Sequence, residues 1–256
     1  DGEVDLSADV LTAEALAILA DGPQTLIAVR AGLAGRHPGQ DPGALVIAPR
    51  LRLPLLTAPA GGRWGFAGHP TFEPAASWLE TPVARRPDPK GLVRRFLSAY
   101  GPAGVAEARA WSGLPKLDMV FGSLAGELAT FRDERGHEVF DLPEAPRPDP
   151  DTPAPPRLLP AGDGVLQAHI DPWRIASGSM VSRLAGPAGG TARVLADGFC
   201  VGSWHTQRMR GETSLTLRFH RRISRQDRLD LETEANALLA FVEPEARSRT
   251  VRFEAA

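Results

Sequence analysis

Apolar positions recur at helical spacing from the start of the chain. Leu11, Leu16, Ile18 and Leu19 stripe a helix beginning near Thr12, and Asp21-Gly22-Pro23 stops it, because glycine loosens the backbone and proline cannot extend the ladder. Gln24 to Leu33 predicts a second helix with Leu26, Val29 and Leu33 on one side. Asp41 is placed to cap a third, with Pro42 at its first position and Leu45, Val46, Ile47, Leu51 and Leu53 as its apolar face up to Pro54. That helix carries Arg50 and Arg52. Leu55 to Ala58 and Arg63-Trp64-Gly65-Phe66 then read as two strands around Gly61-Gly62, closing near Trp78.

The same order returns. After the proline-bearing connector Thr81 to Pro89, helices are predicted over Leu92 to Tyr100, Val105 to Trp111 and Leu117 to Leu128. Ala129-Thr130-Phe131 and Glu138-Val139-Phe140 follow as a hairpin around Asp133-Glu134-Arg135-Gly136. Three helices and a hairpin form the winged-helix order, so the pattern predicts one unit over 1–82 and another over 83–142. Residues 143–160 are a proline-rich tether in which proline and charge alternate too densely to pack. Beyond it, 161–256 reads as β-rich: Leu158-Leu159, Val165-Leu166, Ala192 to Leu195, Phe199 to Trp204 and Ser214 to Phe219 as strands, an Asp197-Gly198 turn, an amphipathic helix over Leu229 to Val242, and a last strand over Thr250 to Phe253. The fold class predicted is α+β: tandem winged-helix units followed by a β-rich C-terminal domain with one long helix.

Composition narrows the classes. With 43% hydrophobic and 23% charged residues the chain has the balance of a globular protein. No run approaches the roughly 18 apolar residues that span a bilayer, and DGEVDLSADV has neither the basic nor the apolar part of a signal peptide, so a cytoplasmic, membrane-free monomer is expected. The single cysteine, Cys200, reads as a small buried hydrophobe. A net charge of -2 gives no bulk attraction for a polyanion, so any nucleic-acid contact must come from local patches. There is no paired-cysteine site, no His-Glu-x-x-His and no phosphate loop, and neither metal nor cofactor is expected.

Three stretches carry a resemblance: LVRRFLSAYGPAGVAEARAWSGL, RDERGHEVFDLPEAPRPDPDTPAPPRLLP and VLADGFCVGSW. In order and spacing they resemble the winged-helix DNA-binding family of AlkZ/YcaQ-like DNA glycosylases, over about residues 10–254. The resemblance implies winged-helix units joined to a C-terminal β domain, double-stranded DNA as partner, and excision of alkylated or crosslinked bases. It also implies an N-terminal unit holding a Gln-x-Gln or Gln-x-Asp pair; neither pair occurs in this chain, and that unit is read as missing. Where the family reads Phe-Asp-Asn and then His-x-Asp-Arg, this chain has Gly162-Asp163-Gly164 and His169-Ile170-Asp171-Pro172-Trp173-Arg174. The alternative is a non-catalytic winged-helix regulator or protein-interaction scaffold.

His169 and Asp171 lie two apart, so on a strand they face one way and can share a hydrogen bond that orients the imidazole, for catalysis or as an interface contact. Base excision needs a carboxylate or amide to position water, and Asp163 and Asp171 are the candidates. His205-Thr206-Gln207 reads as a solvated turn at a strand end. For DNA contact the candidates are Arg50 and Arg52 on the third helix, the cluster Arg85, Arg86, Lys90, Arg94 and Arg95, and a second cluster around Arg221 and Arg222 that includes Arg218, His220, Arg225 and Arg228. A solvated face balanced by Asp88, Asp227 and Asp230 is the competing reading of both clusters. Trp64, Trp78, Trp111 and Trp204 fall in apolar patterns and read as core, whereas Trp173 is the tryptophan placed to be exposed and to stack on a base.

Overall fold

A computed structural model describes residues 6–59, 69–84, 86–176 and 191–254. The chain divides into two compact units, Asp1–Pro87 and Asp88–Ala256. In the first, Ser7 caps α1 (Ala8–Leu19) by accepting from the Val10 amide. Gln24 and Thr25 were expected to open the next helix. They form instead a short strand β1 paired with Thr71 and Phe72, while the Thr25 hydroxyl accepts from the Ala28 amide and starts α2 (Leu26–Arg36). The predicted third helix is two, α3 (Pro42–Leu45) and α4 (Ile47–Arg52), parted at Val46. Pro49 is the reason: it has no amide for the Leu45 carbonyl and its ring would collide there, yet it fits the first turn of a new helix. Strands β2 (Leu55–Thr57) and β3 (Thr71–Pro74) complete an antiparallel sheet in the order β1-β3-β2, and α5 (Ala75–Leu79) follows. The partner of β2 is thus β3; the predicted strand Arg63–Phe66, with Trp64, lies outside the described residues. Leu11, Ala15, Leu19, Val29, Leu33 and Leu45 make the core. Trp78 is not in it: only Ala75 of the short α5 is buried, and Trp78 stays 47% exposed.

The second unit begins with Asp88, whose carboxylate accepts from the Gly91 amide and caps α6 (Pro89–Tyr100). Ala103 bridges to Phe140, and α7 (Val105–Ser112), α8 (Leu117–Ser123) and the hairpin β4 (Ala129–Arg132) and β5 (Glu138–Asp141) follow. Their core gathers Val93, Phe96 and Leu97 of α6 with Ala108, Leu117 and Phe121. The tether does not leave this hairpin freely. Arg147 donates to the carbonyls of Leu142 and Pro143, and its guanidinium lies 5.0 Å from the Phe131 ring centre and 3.7 Å from the buried Asp141 carboxylate. One arginine with five donors is enough to pin an otherwise unpackable segment.

The C-terminal sheet runs β10-β9-β8-β7-β6, from β6 (Arg157–Leu159), β7 (Arg193–Ala196), β8 (Phe199–Met209), β9 (Glu212–Phe219) and β10 (Ser248–Glu254). β10 lies parallel to β9 and the other neighbours are antiparallel. Asp197 and Gly198 both have positive φ, the turn that matches strand twist and that an Asp-Gly pair favours. Arg210 and Gly211 repeat that geometry one hairpin later, which extends β8 well past Trp204. His205, Thr206 and Gln207 therefore sit inside a strand, opposite Thr216, Leu215 and Ser214, rather than in a turn. The long helix α10 (Arg225–Val242) starts from a reciprocal Ser224/Asp227 cap and buries Leu231, Ala235 and Leu239 against Leu215 and Leu217. Trp204 packs on this core and donates its indole N–H to the Leu159 carbonyl. Cys200 is buried with Ala176 and Leu195, and burial pushes its thiol up.

Candidate functional site

Val165-Leu166 and the His169-x-Asp171 pair were expected on strands, and local capping decides otherwise. Asp163 accepts from the Val165 amide and starts the helix α9 (Gly164–Ala168). Asp171 accepts from the Trp173 amide and starts a 3₁₀ turn over Pro172–Arg174. His169 lies between the two, so it shares no bond with Asp171 of the kind strand alternation predicts. Glycine stands on either side of the Asp163 cap for visible reasons. Gly162 has φ +77°, and a Cβ on Gly164 would stand 2.3 Å from the Tyr100 hydroxyl.

Each of these side chains has another partner. The His169 Nδ1 lies 3.0 Å from Oε1 of Glu107, a residue 62 positions earlier that the sequence reading passed over. Glu107 is the third residue of α7, and its Oε2 accepts from the Gly104 amide at 2.6 Å, so the spacing Gly104-x-x-Glu107 before an apolar helix was the available signal. Arg174 Nε approaches the same carboxylate at 3.8 Å. Burial opposes the charge on Glu107, but the hydrogen bonds from His169 and Gly104 and the charges of His169 and Arg174 outweigh it, holding the carboxyl below its ordinary value. The sign follows. A depressed folded-state pKa stabilises the fold fully above the unfolded value, near 4.5, and that contribution is lost as pH falls from there through the lower folded-state value. The difference in urea midpoint between the wild type and Glu107→Gln, which cannot titrate, is therefore expected to shrink between about pH 7 and about pH 3; a difference that stays constant with pH would contradict this.

Beside this buried pair a cleft of about 1020 Å³ opens between the first turn of α7, the β4–β5 hairpin and residues 170–174. Arg132, Arg135 and His137 line it from the hairpin, and Asp171, Trp173 and Arg174 from the 3₁₀ turn. Trp173 is 49% exposed, and the Arg135 guanidinium lies 5.1 Å from its ring centre. Arg135 also pairs with Asp171, Nη1 to Oδ2 at 3.1 Å. His169, Asp171 and Trp173 thus converge on one region of the second unit, while Asp163 serves as a cap beside it.

The basic candidates are spread more widely. In the first unit Arg50 is exposed on α4, whereas Arg52 is paired with Asp9. Arg86, at the end of that unit, is exposed, and Arg85 lies outside the described residues; in the second unit Lys90 donates to the Ser123 carbonyl, Arg94 pairs with Glu127 and Arg95 is exposed. Arg221 and Arg222 are exposed ahead of α10, while Arg218 pairs with Glu254 and Arg228 lies 4.2 Å over the Phe253 ring. Trp111, expected in the core, is 36% exposed but makes tilted ring contacts with Phe96 and Tyr100.

Residues 3–241 match the sequence model of a family described as DNA glycosylase AlkZ-like. The chain belongs to that family. The fold agrees: a solved structure of Streptomyces sahachiroi DNA glycosylase AlkZ superposes with a TM-score of 0.67 at 23% identity, over 96% of this chain and 69% of that one. No curated protein matches the chain. As an AlkZ-like protein it is related to the glycosylases of DNA repair, with the mixed α/β fold, C-terminal sheet and long helix that the sequence predicts. Among the described residues, no helix is long and apolar enough to cross a membrane.

Proposed function

We propose that this AlkZ-like chain binds double-stranded DNA and holds a nucleotide at the cleft of its second unit. The observation that carries the reading is the pairing of a half-exposed indole, Trp173, with the guanidinium of Arg135 at the cleft wall, where a base can stack and a phosphate can be held. Element order supports it. In 1–82, α1, β1, α2, α3/α4, β2 and β3 follow the winged-helix sequence; in 83–142, α6, the Ala103 bridge, α7, α8 and the β4–β5 hairpin do so again. We infer a winged helix in each, then the 143–160 tether and the 161–256 β domain. Arg50 on α4 and Arg86 serve the first unit, and Arg95, Arg221 and Arg222 supply backbone contacts in the second. The helix α8, LDMVFGS, has no cation, so the second unit meets DNA through its hairpin and cleft rather than through that helix.

The test is duplex affinity across salt concentration. Binding is expected to weaken steeply between about 50 mM and about 200 mM salt, and Arg135→Ala to weaken it further while flattening the log–log slope by about one. No duplex affinity at the lowest salt sinks the proposal.

A second reading, binding without excision, draws on a specific observation. The candidate carboxylates Asp163 and Asp171 each cap a backbone amide, and Glu107 beside them is held at both oxygens. Release of a methylated purine from a bound duplex, abolished by His169→Ala, favours excision; binding without release favours this second reading.

A further inference from the structure

Arg135 stands at the tip of the β4–β5 hairpin, in a turn held by the Asp133 carboxylate, which accepts from the amides of Arg135 and His137, and by Gly136 at φ +84°. That turn fixes the backbone of Arg135, and two contacts hold its guanidinium: it lies 5.1 Å from the Trp173 ring centre, with Nη1 3.1 Å from Asp171 Oδ2. Asp171 is equally fixed, because its other oxygen caps the amide of Trp173 at 3.0 Å. The three side chains close a bridge from the hairpin to the 3₁₀ turn across one side of the cleft. In that state the cation has a carboxylate partner and one face of the ring is covered.

We propose that this bridge is a latch: Asp171 holds Arg135 over Trp173 until a DNA phosphate replaces the carboxylate at the guanidinium, which uncovers the indole face for a base. Asp171 then acts as a competitor for the phosphate and as a positioning residue rather than as the base that activates water. The exchange is feasible because the ion pair is open to solvent, its side chains being 45% and 27% exposed, so little is lost on breaking it. A phosphate oxygen meets the same planar donors in the same geometry. This inference rests on the DNA-binding reading of the cleft and adds its regulation.

Duplex affinity at low salt is to be measured for the wild type, Arg135→Ala, Asp171→Asn and the double variant. Asparagine keeps an oxygen for the Trp173 amide but carries no charge, and Asp171→Ser provides a second uncharged cap if the first fails to fold. Asp171→Asn is expected to bind roughly two- to fivefold tighter than the wild type, the range of an exposed ion pair. In the Arg135→Ala background the same change is expected to do nothing. Without DNA, acrylamide quenching of Trp173, isolated by subtracting Trp173→Phe, is expected to rise in Asp171→Asn. If Arg135→Ala leaves affinity unchanged, the DNA-binding reading of the cleft fails and the latch with it. If Arg135→Ala weakens binding but Asp171→Asn does not tighten it, tightens it equally without Arg135, or leaves Trp173 quenching unaltered, the latch alone is overturned.

Discussion

Glu107→Ala is expected to lower the stability of the 88–256 unit by about 3–5 kcal/mol, as removal of one partner from a buried ion pair does. The side chain is 10% exposed, and its carboxylate has three partners: the Gly104 amide at 2.6 Å and His169 Nδ1 at 3.0 Å as hydrogen bonds, and Arg174 Nε at 3.8 Å as an ion pair. Alanine removes the carboxylate from all three. The Gly104 amide, at the start of α7, then lies unpaired at a cost of about 1–3 kcal/mol, and Arg174 loses its counter-charge. Glutamine is the milder change, at about 1–2 kcal/mol, because its single oxygen accepts from one donor while its amide nitrogen meets another. Thermal unfolding followed by circular dichroism reads this out as a midpoint lower by roughly 10 °C for alanine. Loss of Glu107 also frees residues 169–174 from α7, so duplex affinity should fall in the same variant. A midpoint within about 2 °C of the wild type, equivalent to less than about 1 kcal/mol, would show that the network does not hold this segment.

What the sequence made legible were the parts set by local chemistry. The apolar stripes of α1, α6 and α10 and the Asp197-Gly198 turn need only neighbours in the chain, and each was found where its pattern put it. The errors have equally local causes. Apolar residues recur from Leu45 to Leu53 with no polar break before Arg50, so periodicity saw one helix, and the missing amide of Pro49 made two. Alternation of His169 and Asp171 suggested a strand, yet Asp171 precedes a proline just as Asp41 and Asp88 do, and in all three places the aspartate caps a helical turn with proline at its first position. The site itself was less legible because its bonds are long in sequence. Glu107 and His169 are 62 residues apart, and Arg135 reaches Asp171 from a different element altogether, which no spacing rule anticipates. Charge pairing was hidden for the same reason: Arg52 and Arg94 look free beside their neighbours but pair with Asp9 and Glu127, more than 30 residues away.

Phe96→Ala is expected to cost about 3–5 kcal/mol, the range for emptying a buried aromatic site. The ring is 1% exposed and sits in a cluster with Tyr100, 5.7 Å away on the next turn of α6, and with Trp111 of α7 at 5.1 Å. Tilted aromatic pairs of this kind add about 0.5–1.5 kcal/mol each beyond the area they bury, so the cost belongs at the upper end. Leucine refills part of the volume but restores neither ring contact, and Phe96→Leu should fall between the wild type and alanine. The consequence extends to the cleft. Trp111 and the buried Ala108 fasten α7 to α6, and the first turn of α7 carries Glu107, so a loosened α7 displaces the carboxylate from His169. Urea unfolding should give a lower midpoint at unchanged slope, together with a shifted Trp111 emission in the folded state. Weaker duplex binding by folded Phe96→Ala, at a urea concentration where it remains native, would tie that packing to the site; unaltered binding beside the full loss of stability would show that α7 keeps its place without the ring.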